Sequence, residues 1–290
     1  LFPDHPPPKA CKPRTIDLRR KHIELAASAL IRRGSPIEGL KTLADLITVD
    51  AVKEILCDYL ERRNNEPSQF IRDLAKTLIL IARHWVRVDD DHLEALKDLK
   101  RRLGQDCAGL TEKNKAALRQ FDDDYNKKLL LELPQQLFKE ARAISVSDVR
   151  AAVRAQVGLA IEILLMAPLR MGNLINLRVN THVIRPGGIR GPVHLVIPEA
   201  ETKAGEPIEY PLPEETTQLL DLYLKEYRPR LCDDTCPWLF PTKGGERKAQ
   251  ATLSQQIAQG IFKKTGLRMT GHQFRHAAAR FLLEAMRGNF

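Results

Sequence analysis

Two arginines, a lysine and a histidine stand where their chemistry could manage the charge of a phosphate. Arg170 lies in MAPLRMGNLINLR, Lys203 in HLVIPEAETKAGEPIEYPLP, and His272 and Arg275 in MTGHQFRHAAARFLLEA. A guanidinium one turn beyond a buried apolar helix is costly unless an anion or carboxylate meets it. A lysine beside the Ala204-Gly205 turn, between two strand-like segments, can reach into a groove and give a proton to a leaving oxygen. His272 and Arg275 have i, i+3 spacing and would share one helix face. Thr270 and Gly271 would start that helix, where free backbone N–H groups favour phosphate. Together the four offer fixed positive charge and a proton, without the clustered carboxylates that metal-dependent phosphoryl transfer requires. Taken singly, each has an ordinary structural explanation: a snorkelling arginine, a charge keeping a sheet edge soluble, a chance HxxR. His276 reads as a satisfied core histidine.

The elements that must position these residues follow from periodicity. Four helical stripes occupy the first hundred residues. Ile23, Ala27, Leu30 and Ile31 follow a cap at Thr15; Val52, Ile55, Leu56, Tyr59 and Leu60 form the second. Phe70, Leu74, Leu78, Ala82 and Trp85 form the third, and Leu93, Leu96, Leu99 and Leu103 the fourth, stopped by Gly104. Nothing there alternates like a strand, so residues 1–104 read as a helical domain. Residues 105–145 mix helical pattern with Asp122–Asp124 and Pro134, and read as a partly helical connector. After Ser147, a candidate N-cap, an apolar helix through Val153, Val157, Ile161 and Leu165 breaks at Pro168. Period-2 segments at Val193–Ile197 and Ile208–Tyr210, with turns at Gly187-Gly188 and Ala204-Gly205, predict a small antiparallel meander. Helices are expected from Pro213 to Tyr227, from Ser254 to Lys264, and from His272. The fold class is therefore mainly α: a helical N-terminal domain and a mixed α+β domain over 146–290.

Composition narrows the class. A chain of 290 residues is long for one core. Its formal charge of +9, tilted toward the C-terminal half, fits a polyanionic partner, of which nucleic acid is the commonest. Basic proteins without that role are also common. Five scattered cysteines, Cys11, Cys57, Cys107, Cys232 and Cys236, read as free thiols in a reducing compartment. Cys232 and Cys236 lack the further ligands of a zinc site. No signal peptide or membrane span is visible, so the expected location is cytoplasmic, with no membrane partner.

Order and spacing of these motifs together resemble the tyrosine recombinase (phage integrase-like) family over nearly the whole chain. LRMGNLINLR is similar to its first-arginine motif, TKAGEPIEYPLP to its lysine hairpin, and GHQFRHAAARFLLEA to its His-x-x-Arg helix. WLFPTKGGERKA is similar to the strand and turn before that helix. The resemblance implies a DNA-binding helical core-binding domain that clamps duplex DNA together with the catalytic domain. It also implies site-specific DNA strand cleavage and rejoining through a 3′-phosphotyrosyl intermediate, with no cofactor or metal. Arg170 and Arg275 would bind the non-bridging oxygens of the scissile phosphate, His272 would donate a hydrogen bond or carry a proton, and Lys203 would protonate the 5′ oxygen. A bacterial or mobile-element integrase is the expected setting, with a homotetramer in the synaptic complex. Two departures stand out. Asn173 occupies a position where many relatives carry an acid that supports the first arginine. The family's tyrosine lies beyond a stretch like Gly288-Asn289-Phe290, so this chain is expected to lack its C-terminal nucleophile segment. The five tyrosines present all precede His272. The alternative is a non-catalytic DNA-binding protein on the same scaffold.

Overall fold

The computed structural model describes residues 11–104, 109–110, 112–144, 148–188 and 191–285. Contacts divide the chain into two compact units, 1–110 and 111–290.

The first unit is all helix. It holds α1 (Pro13–Arg32), α2 (Val49–Glu61), α3 (Gln69–Ile81) and α4 (Asp90–Arg102). Thr48, Ser68 and Asp89 cap the last three by accepting from Ala51, Ile71 and His92 N–H groups. Ala26, Leu30, Val52, Ile55, Leu74, Leu78 and Leu96 meet in one core. Two details depart from the sequence pattern. Helix α1 begins at Pro13 with Lys12 as its N-cap, because proline is suited to a first turn; Thr15 lies inside it. Trp85 does not join its stripe and is 73% exposed. Helix α3 runs into a π-turn at Ala82–Val86, which turns the indole outward before Arg87 ends it in the left-handed region at φ 60°.

The second unit is built around α7 (Val149–Met166), capped by Asp148, with Ala152, Leu159, Ile163 and Leu164 among its buried residues. Ser147, the expected cap, lies outside the described residues. The expected connector instead supplies α5 (Glu112–Arg119) and α6 (Asp124–Ile144), and α6 packs along α7 within this unit. Pro134 sits inside α6 at the cost of one backbone hydrogen bond. The stripe of Leu130, Leu133, Leu137, Phe138 and Ala141 offsets it by burying the helix.

Beyond α7 come two short helices, α8 (Met171–Ile175) and α9 (Val179–His182), and the meander. Strands β1 (Val183–Ile184), β2 (His194–Ile197) and β3 (Ile208–Pro211) pair antiparallel in sequence order. Ile197 faces Ile208 and Leu195 faces Tyr210 across β2 and β3. Val193, Leu195 and Ile197 are buried, as their alternation predicts. Then follow α10 (Glu214–Leu222), a π-turn at Tyr223–Tyr227, α11 (Gln250–Thr265) and α12 (Phe274–Ala285). Helix α11 starts four residues earlier than its apolar pattern suggests, since its first turn holds only Gln250, Ala251 and Thr252 before buried Leu253. The protein is mainly α with one small antiparallel sheet. Among the described residues, no helix is long and apolar enough to cross a membrane.

Candidate active site

Arg170 is positioned by a break in the unit's most buried helix. The α7 ladder closes with the Ala167 N–H on the Ile163 carbonyl at 2.7 Å, and Pro168 stops it. Leu169, 1% exposed, pins the chain. Arg170 is extended and serves as N-cap of α8, its carbonyl accepting from Asn173 and Leu174 N–H groups at 2.8 and 3.0 Å. The backbone is thus fixed, while the half-buried guanidinium has no hydrogen bond or ion pair to any described residue. Asn173 makes no hydrogen bond to it, and its own buried Nδ2 has no partner among the described residues.

Arg275 and His272 come to the same place from the other end of the unit. An Arg275 Nη1–H donates to the Pro168 carbonyl at 2.9 Å, two residues before Arg170. Gly271 is buried, and a Cβ there would lie 2.2 Å from Met171 Sδ, so a larger residue must push the Met171 side chain aside where this turn seats beside Arg170. His272 and Arg275 do not share a helix as their spacing suggested. Helix α12 begins at Phe274, and His272 lies in the preceding turn. The reason is local. Gln273 N–H donates to Thr270 O at 2.9 Å, while Gln273 Oε1 accepts from Thr270 N–H and Oγ1–H at 2.8 and 3.1 Å. That reciprocal pairing closes a turn over 270–273, in which His272 is exposed before α12 begins. Its ring stands edge-on to His276, centroids 5.3 Å apart. His276 is half-buried, and burial, with His272 and Arg275 beside it, lowers its pKa and favours the neutral ring.

Lys203 lies on the β2–β3 connection, residues 198–207, which is longer than the tight turn its Ala204-Gly205 pair suggested. A 3-10 turn at Glu199–Glu201 opens it, and Gly205, at φ +78°, bends it back. The ammonium is exposed and has no hydrogen bond or ion pair to any described residue. The structure therefore joins the Arg170, His272 and Arg275 segments by direct packing. It ties Lys203 to them only indirectly, through Glu201 of its connection, whose carboxylate meets Arg178.

Two buried groups escaped the sequence reading. Lys248, in a run (GGERKAQ) that looks like a solvated surface, is 4% exposed. Its ammonium donates to Gln156 Oε1 and, at 3.0 Å, to Gln256 Oε1. Gln156 in turn donates to Tyr223 Oη at 3.1 Å and Pro241 O at 3.0 Å. Glu162, on α7, is 3% exposed and accepts from Thr216 Oγ1 at 2.5 Å; burial raises its pKa. Nothing in either local sequence distinguishes them from surface charges. Among the described residues no group of three or more His, Cys, Asp and Glu side chains is arranged to hold a metal ion.

Comparison with known proteins matches residues 135–287 to the family described as the phage integrase family. Among solved structures, a crystal structure of XerA recombinase aligns with 91% of this chain and 84% of that chain, at 16% identity and a TM-score of 0.38. No curated protein matches the sequence.

Proposed function

Because the chain belongs to the phage integrase family, the tyrosine recombinases, we propose that it takes part in site-specific DNA recombination by cutting and rejoining a DNA strand. The reaction exchanges a phosphodiester for a 3′-phosphotyrosyl bond and back, so the bond energy is conserved. The observation that carries the reading is the seating of the Arg275 turn on the Arg170 segment: one guanidinium bound to Pro168 O, the other uncommitted two residues on. One guanidinium anchored at Pro168 O and a second rooted two residues on suit the equatorial oxygens of a phosphorane. His272, exposed beside them, donates to the same oxygens, and Lys203 protonates the departing 5′ oxygen. Double-stranded DNA is the partner, a homotetramer the synaptic assembly, and the nucleoid the place of action. The first unit acts as core-binding domain and the second as catalytic domain.

We assign the nucleophile to none of the five tyrosines of residues 1–290, all of which precede His272. Tyr223 and Tyr227 are fully buried, the Tyr223 hydroxyl spent on Leu239 O at 3.0 Å, and the Tyr59 hydroxyl donates to Leu25 O in the first unit. The test uses nicked duplexes selected by binding from a randomised pool, which lose their free end on cleavage. In EDTA, the full-length protein should give a denaturant-resistant protein–DNA adduct, and residues 1–290 alone should give none. Binding without an adduct from the full-length protein would favour a DNA-binding role without catalysis. An adduct from residues 1–290 would overturn the assignment of the nucleophile.

A further inference from the structure

A lysine on a connection as long as 198–207 needs something to set its reach, and the structure contains such a device. Thr202, beside it, is 1% exposed, donates from Oγ1 to Glu199 O at 3.1 Å and accepts there from Gly205 N–H at 3.0 Å. On the other side of Thr202, the Glu201 carboxylate leaves the sheet and meets two cation-forming residues. Arg178 Nη2 donates to its Oε1, and His182 Nε2 stands 3.5 Å from its Oε2. His182 is itself 1% exposed, and its Nδ1 accepts the Arg178 backbone N–H at 3.0 Å. The neutral ring therefore carries its proton on Nε2, toward Glu201. Burial lowers the His182 pKa and keeps it neutral.

Arg178 is no free surface residue. Its backbone bridges Trp238, and on either side Leu239 N–H donates to Leu177 O and Val179 N–H to Pro237 O, both at 2.8 Å. From Leu177 the chain runs back through buried Leu174 and Ile175 of α8 to Arg170 at its N-cap. A stiff path thus leads from Arg170 to Arg178, and one ion pair carries it across to the residue two before Lys203.

We propose that Glu201, held by Arg178 beside the His182 ring, is a positioning residue that sets where the Lys203 ammonium stands relative to the phosphate held by Arg170. The proposal rests on the reading of Lys203 as proton donor given above. Its value is not stability. The Arg178 and Glu201 side chains are 34% and 35% exposed, and pairs this open contribute little to folding. Glu201 takes part in neither the sheet register nor α8, so removing it unpairs Arg178 and frees the connection.

The experiment compares single-turnover cleavage by the full-length protein of a duplex with the natural 5′ bridging oxygen and of one with sulfur there, whose departure needs no proton. A general acid supplies about 10²–10⁴ in rate, so loosening its mount in Glu201→Ala should slow the oxygen substrate about tenfold. The sulfur substrate should be cleaved at the wild-type rate and duplex affinity should not change. Glu201→Gln, which keeps a neutral acceptor for Arg178, should fall between. Equal slowing on both substrates, or no slowing on either, would overturn the positioning role. Lys203→Ala separates this from the parent reading: if sulfur fails to rescue it, the general-acid assignment falls and the tether's role with it. If sulfur rescues Lys203→Ala and not Glu201→Ala, the tether alone is wrong.

Discussion

Replacing Lys248 with methionine should change how the stability of the second unit depends on pH. The ammonium is almost fully enclosed, its acceptors Gln156 and Gln256 are neutral amides, and no carboxylate among the described residues pairs with it. Burial brings its pKa down from 10.5 to about 8. At about 1.36 kcal/mol per pH unit, that gap corresponds to roughly 3 kcal/mol. Because the folded pKa lies below the unfolded one, the unfolded chain holds the proton more tightly. The full penalty is present below about pH 8, and it is relieved as pH rises from there toward 10.5.

Methionine has similar length and no charge, so it should remove that slope. It also leaves two amide oxygens without their donor, at about 1–3 kcal/mol each, so the variant need not be more stable at neutral pH. That loss does not vary with pH, and the slope is the observable. Each unit contains one of the two tryptophans, Trp85 and Trp238. Urea unfolding followed through Trp238, in a Trp85→Phe background, therefore reports the relevant unit. The difference in unfolding free energy between wild type and variant should shift by roughly 3 kcal/mol between about pH 7 and about pH 10.5, with wild type gaining. Other lysines, tyrosines and thiols titrate in both proteins and cancel in the difference. Parallel pH curves would refute the argument, since they would mean that the Lys248 ammonium is solvated in the folded state as it is in the unfolded one.

Arg170→Ala and Arg275→Ala in the full-length protein should each lower the cleavage rate by about 10²–10³ while duplex affinity changes little; a parallel fall in affinity would make them binding residues only. Gly271→Ala forces a methyl onto Met171 Sδ and should cost about 1–3 kcal/mol, with Met171→Ala relieving part of it in the double variant. An unchanged melting temperature for Gly271→Ala would mean that the Met171 side chain yields without cost. Duplex binding that neutralises about six phosphates should fall with a log–log salt slope of roughly −5, measured by fluorescence anisotropy. A flat response would remove duplex DNA as the partner.

What could be read from the sequence was whatever repeats locally. Leu74 and Leu78 declare a helix face, and Val193, Leu195 and Ile197 declare a strand, because burial follows their period. The motif around Arg170 was legible from an apolar run that had to stop at Pro168. What failed depended on partners distant in the chain. Pro134 suggested a connector, because nothing nearby reveals that α7 covers the face of α6. Trp85 fitted a helical stripe until a π-turn changed its phase. His272 and Arg275 fitted one helix, and the Thr270–Gln273 turn keeps His272 ahead of it. Lys248 and the Arg178–Glu201 pair carry no local mark at all, since ammonium, guanidinium and carboxylate groups look alike in sequence whether solvated or enclosed.

The arrangement of the cations has its own logic under the proposed reaction. Charge that stabilises a transition state is most effective when it need not reorganise as the reaction proceeds. The two arginines start from fixed roots: Arg170 as a helix N-cap with both its carbonyl acceptances made, Arg275 through a bond to Pro168 O just upstream. Residues about a hundred positions apart in the sequence are thereby fixed by main-chain contacts that do not depend on DNA. A proton donor faces a different demand, because the 5′ oxygen moves as it leaves and the donor must follow. A long exposed side chain on a connection outside the core suits that, provided its root stays in place. Buried Thr202 and the Glu201–Arg178 grip hold the root, and Lys203 beyond them is left with the freedom of its own four-carbon stem.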